Sequence, residues 1–256
     1  MSSRSNNALN AGNAPVRRGR PFYGIETGIA ILDSDIPRPV GDIGNARTFD
    51  RPVLYRVVEG IGPKDMFRPR SEHVADGFSA AVNAMARQGV QVAVTSCGLL
   101  AHYQEEVAAR TDIPVAMSSL IQIPLVLRML RPEQKVLLLT IDAERITEQH
   151  LEQNGVSRND RARVVLQDMS DAPYFLSVIK GSEDNYDTDR ARVEVLEAVD
   201  AALDREHACG AIVIECTNLP PFSNDIRART GLPVWDVLTL TDWLSASVEH
   251  GVEAAI

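Results

Sequence analysis

The chain has 256 residues, a hydrophobic content of 45%, a charged content of 24% and a formal net charge of −9. These proportions suit a soluble globular protein with room for one large or two small domains. An acidic surface disfavours nucleic acid and anionic membrane as partners, and no apolar run approaches the roughly 18 residues that span a bilayer.

Met1 to Arg20 is rich in Ser, Asn, Ala and Gly, carries four arginines and no acid, and lacks the apolar segment of a secretory signal. It reads as a disordered tail, 1–20. From Phe22 the elements are those of an α/β protein. Gly28 to Leu32 is an apolar strand ending at Asp33, and Pro52 to Val58 is a second. Ser71 to Gln88 sets Val74, Phe78, Ala81, Val82 and Met85 at helical spacing, and Gly89 stops it. Val90 to Thr95 is a buried-type strand leading into Cys97. Leu99 to Arg110 reads as a helix, Ile113 to Met117 as a strand, and Ile121 to Leu130 as a helix closed by Arg131-Pro132.

The pattern then restarts. Val136 to Thr140 is a strand, Ala143 to Asn154 a helix ended by Gly155, and Arg163 to Leu166 a strand. Thr188 to Arg205 is a helix, Ala211 to Ile214 a strand, and Leu219 to Arg229 a helix after Cys216. Val234 to Val237 and Leu240 to Val248 follow. Alternation of this kind predicts parallel sheets with right-handed crossovers. The expected division is a first lobe over 21–131, a second over 132–237, and a segment 238–256 packing back on the first.

Two cysteines occupy matching places in this duplication. Val92 to Leu100 reads Val-Ala-Val-Thr-Ser-Cys-Gly-Leu-Leu, and Ala211 to Leu219 reads Ala-Ile-Val-Ile-Glu-Cys-Thr-Asn-Leu. Cys to Thr is 14 residues in both copies (Cys97 to Thr111, Cys216 to Thr230), and Cys to Pro is 17 (to Pro114 and Pro233). Each copy ends a strand at its cysteine, and ligands of parallel sheets bind at the carboxyl ends of strands. The expected architecture is therefore two pseudo-symmetric lobes, each a parallel sheet flanked by helices, with an active site in the cleft between them. Two opposed thiols are what inversion of a carbon acid needs. One feature breaks the repeat. Where the second half has a helix after its first strand, Asp33 to Asn45 contains two prolines and two glycines and reads as a long loop, a candidate substrate cover.

These residues resemble the aspartate/glutamate racemase superfamily, which includes glutamate, aspartate and hydantoin racemases, maleate isomerase and arylmalonate decarboxylase. The resemblance covers about Tyr23 to Val248. It is carried by Thr-Ser-Cys-Gly at 95–98, Glu-Cys-Thr-Asn at 215–218, Leu-Asp-Ser at 32–34 and Leu-Thr at 139–140. Asp33-Ser34 is similar to the Asp-Ser pair of glutamate racemases, but Pro37 to Asn45 does not match their glycine-rich continuation. Gly98-Leu99 stands where many amino-acid racemases have Asn-Thr. The resemblance implies a cofactor-independent isomerase, a racemase or epimerase of an amino acid or related carbon acid, working through Cys97 and Cys216.

The chemistry of the residues agrees. Removing the α-proton of a carboxylic acid makes an enolate-like dianion that needs donors on the carboxyl oxygens. Backbone N–H groups starting the helices after both cysteines supply them without a metal. Thr95, Ser96, Gly98, Thr140, Thr217 and Asn218 are expected around the substrate, with Asp33, Ser34, Arg38 and Glu215 beside them. The helix starts are expected to lower a thiol's pKa, so that one cysteine is the thiolate base and the other the proton donor. Cys209 reads as inert and buried, and His102 as a packed or solvated side chain.

Other chemistries find little support. The histidines are scattered without a His-Glu-x-x-His segment, no phosphate-binding glycine motif occurs, and Lys64, Lys135 and Lys180 lack a persuasive Schiff-base context. The odd number of cysteines suits thiols in a reducing cytoplasm rather than a disulfide framework. The alternatives are a maleate-type cis–trans isomerase, in which one cysteine adds to the substrate, a malonate-type decarboxylase, or a non-catalytic binding protein. The expected partners are a small carboxylate substrate and further copies of the chain in a homodimer or larger homo-oligomer, with no cofactor or metal.

Overall fold

A computed structural model describes residues 19–20, 22–183 and 185–249. The expected tail at 1–20 therefore lies outside the described residues except for Gly19 and Arg20, and so does the segment beyond 249. Arg20 belongs with the folded part, because its guanidinium donates to the Gly89 carbonyl at 3.5 Å.

The first half contributes β1 (Thr27–Leu32), β2 (Val53–Val58), β3 (Val92–Thr95) and β4 (Val115–Ala116), all parallel, in the order β2-β1-β3-β4. The second contributes β5 (Lys135–Leu139), β6 (Val164–Gln167), β7 (Cys209–Ile214) and β8 (Val234–Trp235), again parallel, in the order β6-β5-β7-β8. The two sheets thus repeat one topology. In each, the chain leaves its first strand toward one edge and returns beside it to build the other edge. That reversal opens a crevice at the carboxyl ends of the two central strands. In the first lobe Asp33 and Ser96-Cys97 border the crevice, and in the second Ile141 and Glu215-Cys216.

The helices are α1 (Glu72–Gln88), α2 (Gln104–Ala108), α3 (Ile123–Met129), α4 (Glu148–Gln153), α5 (Pro173–Ile179), α6 (Thr188–Arg205), α7 (Ser223–Thr230) and α8 (Val237–Glu249). The long ones follow the sequence pattern. α1 buries Val74, Phe78, Ala81, Val82 and Met85 and ends at Gly89 with φ of 113°, a left-handed cap that favours glycine. α6 starts where the Asp187 carboxylate accepts from the N–H groups of Asp189 and Arg190.

The short ones depart from it. The helices expected at Leu99–Arg110, Ile121–Leu130, Ala143–Asn154 and Leu219–Arg229 each open as a tighter 3₁₀ turn, over Gly98–Tyr103, Ser119–Gln122, Ala143–Arg145 and Pro220–Phe222. Their first bonds run to the third residue back, as in Leu100 N–H to Cys97 O at 3.2 Å and Phe222 N–H to Leu219 O at 2.9 Å. Pro220-Pro221 has no N–H to offer an α ladder, which explains the last case. α5 was not expected, because Pro-Tyr-Phe-Leu-Ser-Val-Ile lacks a polar face from which to read a period.

Each lobe has its own core. Phe78, Val82, Met85 and Ala93 anchor one, and Phe175, Val195, Val199 and Ile212 the other. A third cluster joins the lobes, packing Leu99, Ala101, Leu120 and Ile123 against Val136, Leu138, Leu151 and Val213. The turn that follows Cys97 is therefore wedged onto the second sheet, where Asn154 also donates to the Ala101 carbonyl at 2.9 Å. The chain then crosses back. α8 lays Val237 and Leu240 on Ile29, Val94 and Ala116 of the first sheet. No helix among the described residues is long and apolar enough to cross a membrane.

Candidate active site between the lobes

The strand-end crevices of the two lobes meet in one cavity of about 660 Å³. Cys97, Gly98 and Ser96 line it from the first lobe, Glu215, Cys216, Thr217 and Asn218 from the second, and Asp33, Ser34 and Arg38 from the loop after β1. Its lining includes apolar Leu32, Ile36, Met66, Phe67, Leu99 and Ile141 together with charged residues of both signs. A zwitterionic or singly charged small molecule suits such a space.

Each cysteine stands two residues past a strand, Cys97 in extended backbone, and N–H groups of the turns after them favour the thiolates. The Leu99 and Leu100 amides favour the Cys97 thiolate, with help from Arg38, and the Asn218 amide favours that of Cys216. The expected net lowering of a thiol's pKa does not follow. Burial, and then the Glu215 carboxylate, push Cys97 up to about 12, and the same two causes raise Cys216 well above 9. Short 3₁₀ turns bring fewer aligned dipoles than full helices, whereas burial strips water that would solvate a thiolate, more completely at Cys216 than at the partly exposed Cys97. Burial and Glu215 thus favour the thiol form of both groups.

Several expected substrate donors are already engaged. Thr95 is outside the cavity lining and donates to the Met117 carbonyl at 2.7 Å. Thr140 is also outside it and donates to Glu215 Oε2 at 2.8 Å. The Ser96 hydroxyl accepts from Leu32 N–H at 2.9 Å, and the Thr217 hydroxyl donates to the Ser96 carbonyl across the lobe boundary. These threonines and Ser96 hold the two cysteine turns in register. Donors that a carboxylate could meet in the lining include Lys64, Arg68 and Lys180 as well as backbone N–H groups.

The loop from Asp33 to Asn45 is not helical, and it is pinned rather than loose. Asp42, fully buried, accepts from Arg38 at 3.0 Å, from Gly44 N–H at 2.7 Å and from the Asn218 amide at 2.8 Å. Burial raises the Asp42 carboxyl's pKa against those contacts. Arg38 reaches Ser34 as well, at 3.3 Å. Gly41, with φ of 101°, lies so close to Pro221 that a Cβ there would come 2.8 Å from its Cα. A first-lobe loop is thus fastened beside Cys216 of the second. Asp33 is exposed at the cavity mouth, where its carboxylate accepts from Gly60 N–H at 3.2 Å.

Glu215 is the residue whose role the sequence left most open. It is 1% exposed, and its Oε1 has no hydrogen-bond partner among the described residues. Burial raises its carboxyl to about 7, against the Thr140 hydroxyl and the Ile141 N–H. A Cβ on Gly98 would collide with Glu215 Oε1 and with its carbonyl oxygen. Only glycine lets that carboxyl reach across from β7 to the Cys97 turn. Away from the cavity, Cys209 is buried in β7. His102 stacks on His150 at 4.5 Å in the lobe interface, where burial lowers it to about 4.

Comparison with known proteins gives a consistent picture. Dimethylsulfoniopropionate lyase 5 of Emiliania huxleyi (strain CCMP1516) is 34% identical over 208 residues, which are 76% of this chain and 41% of that protein. Dimethylsulfoniopropionate lyase 7 of the same strain is 31% identical over 220 residues, 83% of this chain and 64% of that one. The chain spans less than two thirds of the length of either relative. Among solved structures, a sulfate-associated variant of arylmalonate decarboxylase superposes with a TM-score of 0.55 at 13% identity, covering 88% of this chain and 94% of that one. That likeness is one of fold. Residues 75–243 match the Asp/Glu/Hydantoin racemase profile, and the chain, with its duplicated parallel sheets, belongs to that enzyme family.

Proposed function

We propose that the protein is a cofactor-independent lyase that removes the α-hydrogen of a small carboxylate and expels a β-substituent. Dimethylsulfoniopropionate is the substrate its named relatives point to. The observation that carries the reading is that Cys97 and Cys216 line one cavity between the lobes. A thiolate takes the α-hydrogen, and backbone N–H groups at the cysteine turns stabilise the charge that develops on the carboxyl oxygens. The resulting carbanion has two fates. It is reprotonated from the opposite face, which is inversion, or it expels a leaving group from the β-carbon, which is elimination. A sulfonium leaves as neutral dimethyl sulfide and makes elimination the easier path, giving acrylate. Cys97 is the better base, because Arg38 favours its thiolate, while Asp42 and Cys97 itself both oppose ionisation of Cys216.

Inversion is the second reading, favoured by the presence of a thiol on each lobe. One experiment separates the two. The purified protein is incubated with dimethylsulfoniopropionate and, separately, with aspartate, glutamate and hydantoins in deuterium oxide. Dimethyl sulfide in the headspace with acrylate in solution supports the lyase. Solvent deuterium at the α-carbon of an amino acid or hydantoin, with loss of optical activity and no dimethyl sulfide, overturns it in favour of a racemase.

A further inference from the structure

Two thiols raised by burial pose a problem for any carbon-acid chemistry at neutral pH: something must take the proton that leaves when a thiolate forms. Cys97 is only partly buried, but Cys216 and Glu215 are almost wholly enclosed, so an acceptor fixed inside the site serves better than bulk water. Of the described residues that line the cavity, Glu215 alone has a buried side-chain oxygen without a partner. Glu215 lines the cavity, and its Oε1 is buried, without a partner, and so close to Gly98, the residue after Cys97, that a Cβ there would collide with it. Its other oxygen is fixed by Thr140 at 2.8 Å, so the carboxyl cannot turn away.

We propose that Glu215 is the proton acceptor that converts Cys97 to its thiolate, with Oε1 receiving the thiol proton across the lobe boundary. This deepens the carbon-acid reading above and rests on it. The steps balance as follows. The S–H bond of Cys97 breaks and an O–H bond forms on Glu215, so the negative charge moves from carboxylate to sulfur and none is added to the buried site. The thiolate then takes the α-hydrogen. The electron pair left on the α-carbon forms the double bond while the β-carbon–sulfur bond breaks, and the leaving sulfur keeps that bond's electrons. Cys97 is again a thiol, and Glu215 releases its proton to water when the products leave. The sum is substrate to dimethyl sulfide, acrylate and one proton. A carboxyl raised to about 7 is suited to this exchange, since it gives up its proton readily at neutral pH. Gly98 follows as the residue that allows the transfer, because any side chain there would displace the acceptor.

The test needs no substrate, so it stands apart from the lyase reading. Iodoacetamide alkylation of Cys97 is followed by mass spectrometry of its peptide, in the wild type and in Glu215→Gln, across the neutral pH range. With Glu215 as acceptor, the wild-type rate rises as the carboxylate forms near pH 7, and Glu215→Gln slows it by about tenfold or more. If Glu215 merely repels the thiolate, Glu215→Gln alkylates as fast as the wild type or faster, and the proposal fails. Should that variant not fold, Thr140→Val tests the same point with Glu215 in place. Loss of the hydroxyl donor moves the midpoint of Cys97 alkylation to higher pH, and an unmoved midpoint overturns the proposal. A protein that passes these tests but releases no dimethyl sulfide would retain the acceptor and lose only the substrate assignment.

Discussion

Glu215→Gln should change stability in a pH-dependent way whose size follows from the burial of one carboxyl. Burial raises that carboxyl from 4.5 to about 7. Between those values the folded protein holds a proton that the unfolded chain has released. Stability therefore falls as pH rises through this window, and the loss is complete above about pH 7. At about 1.4 kcal/mol per pKa unit, the penalty above the window is about 3 kcal/mol. Glutamine keeps the carbonyl that accepts from Thr140 and carries no titrating proton, so it escapes the penalty. Urea unfolding of both proteins should give curves that approach one another at about pH 4 and separate by about 3 kcal/mol near pH 8, with the variant more stable. A difference that stays constant with pH would refute the argument, because a carboxyl ionised throughout the range contributes no such slope. The expected pattern is a protein that is less stable where its proposed chemistry is active.

Cys97→Ser should abolish dimethyl sulfide release, whereas Cys209→Ser should leave it unchanged, both read by headspace chromatography with the fold checked by circular dichroism. Cys216→Ser should retain more elimination than Cys97→Ser, since only one base is needed for that path, and should lose inversion entirely. Gly98→Ala should destabilise the protein by about 2 kcal/mol, seen in urea unfolding, because its Cβ meets the backbone as well as the carboxyl of Glu215. Asn218→Ala removes one donor from a fully buried Asp42 and should cost about 1–3 kcal/mol, with a raised KM from the loosened Arg38 loop.

What the chain disclosed in advance depended on how local each cause is. α1 and α6 were readable because apolar residues recur along one face, and because Gly89, which stops α1, acts within a turn. The paired cysteines were readable because duplication keeps spacing, and spacing survives in sequence. The 3₁₀ openings were harder, since they arise where a turn must wedge onto the opposite sheet, as Leu99 and Ala101 do. The protonation of the thiols was not readable at all. It depends on burial and on Glu215, which is adjacent to Cys216 in the chain but reaches Cys97 only through the fold. The engagement of Thr95, Thr140 and Thr217 was hidden for the same reason: a hydroxyl near a site and a hydroxyl holding the site together look alike until their partners are known.

The return of α8 to the first sheet has a consequence for how the molecule is made. Ile29, Val94 and Ala116 are cast early in synthesis, yet the side chains that cover them, Val237 and Leu240, emerge more than a hundred residues after Ala116. At about 5–20 residues per second, that patch stays uncovered for several seconds at least. The second lobe has no such wait, since β5 to β8 and their helices are contiguous. The nascent chain should therefore complete its second lobe before its first, with the older half holding an open apolar face for chaperones until the last helix arrives. The cavity between the lobes waits on the second lobe instead, since its far wall is the Glu215–Asn218 turn.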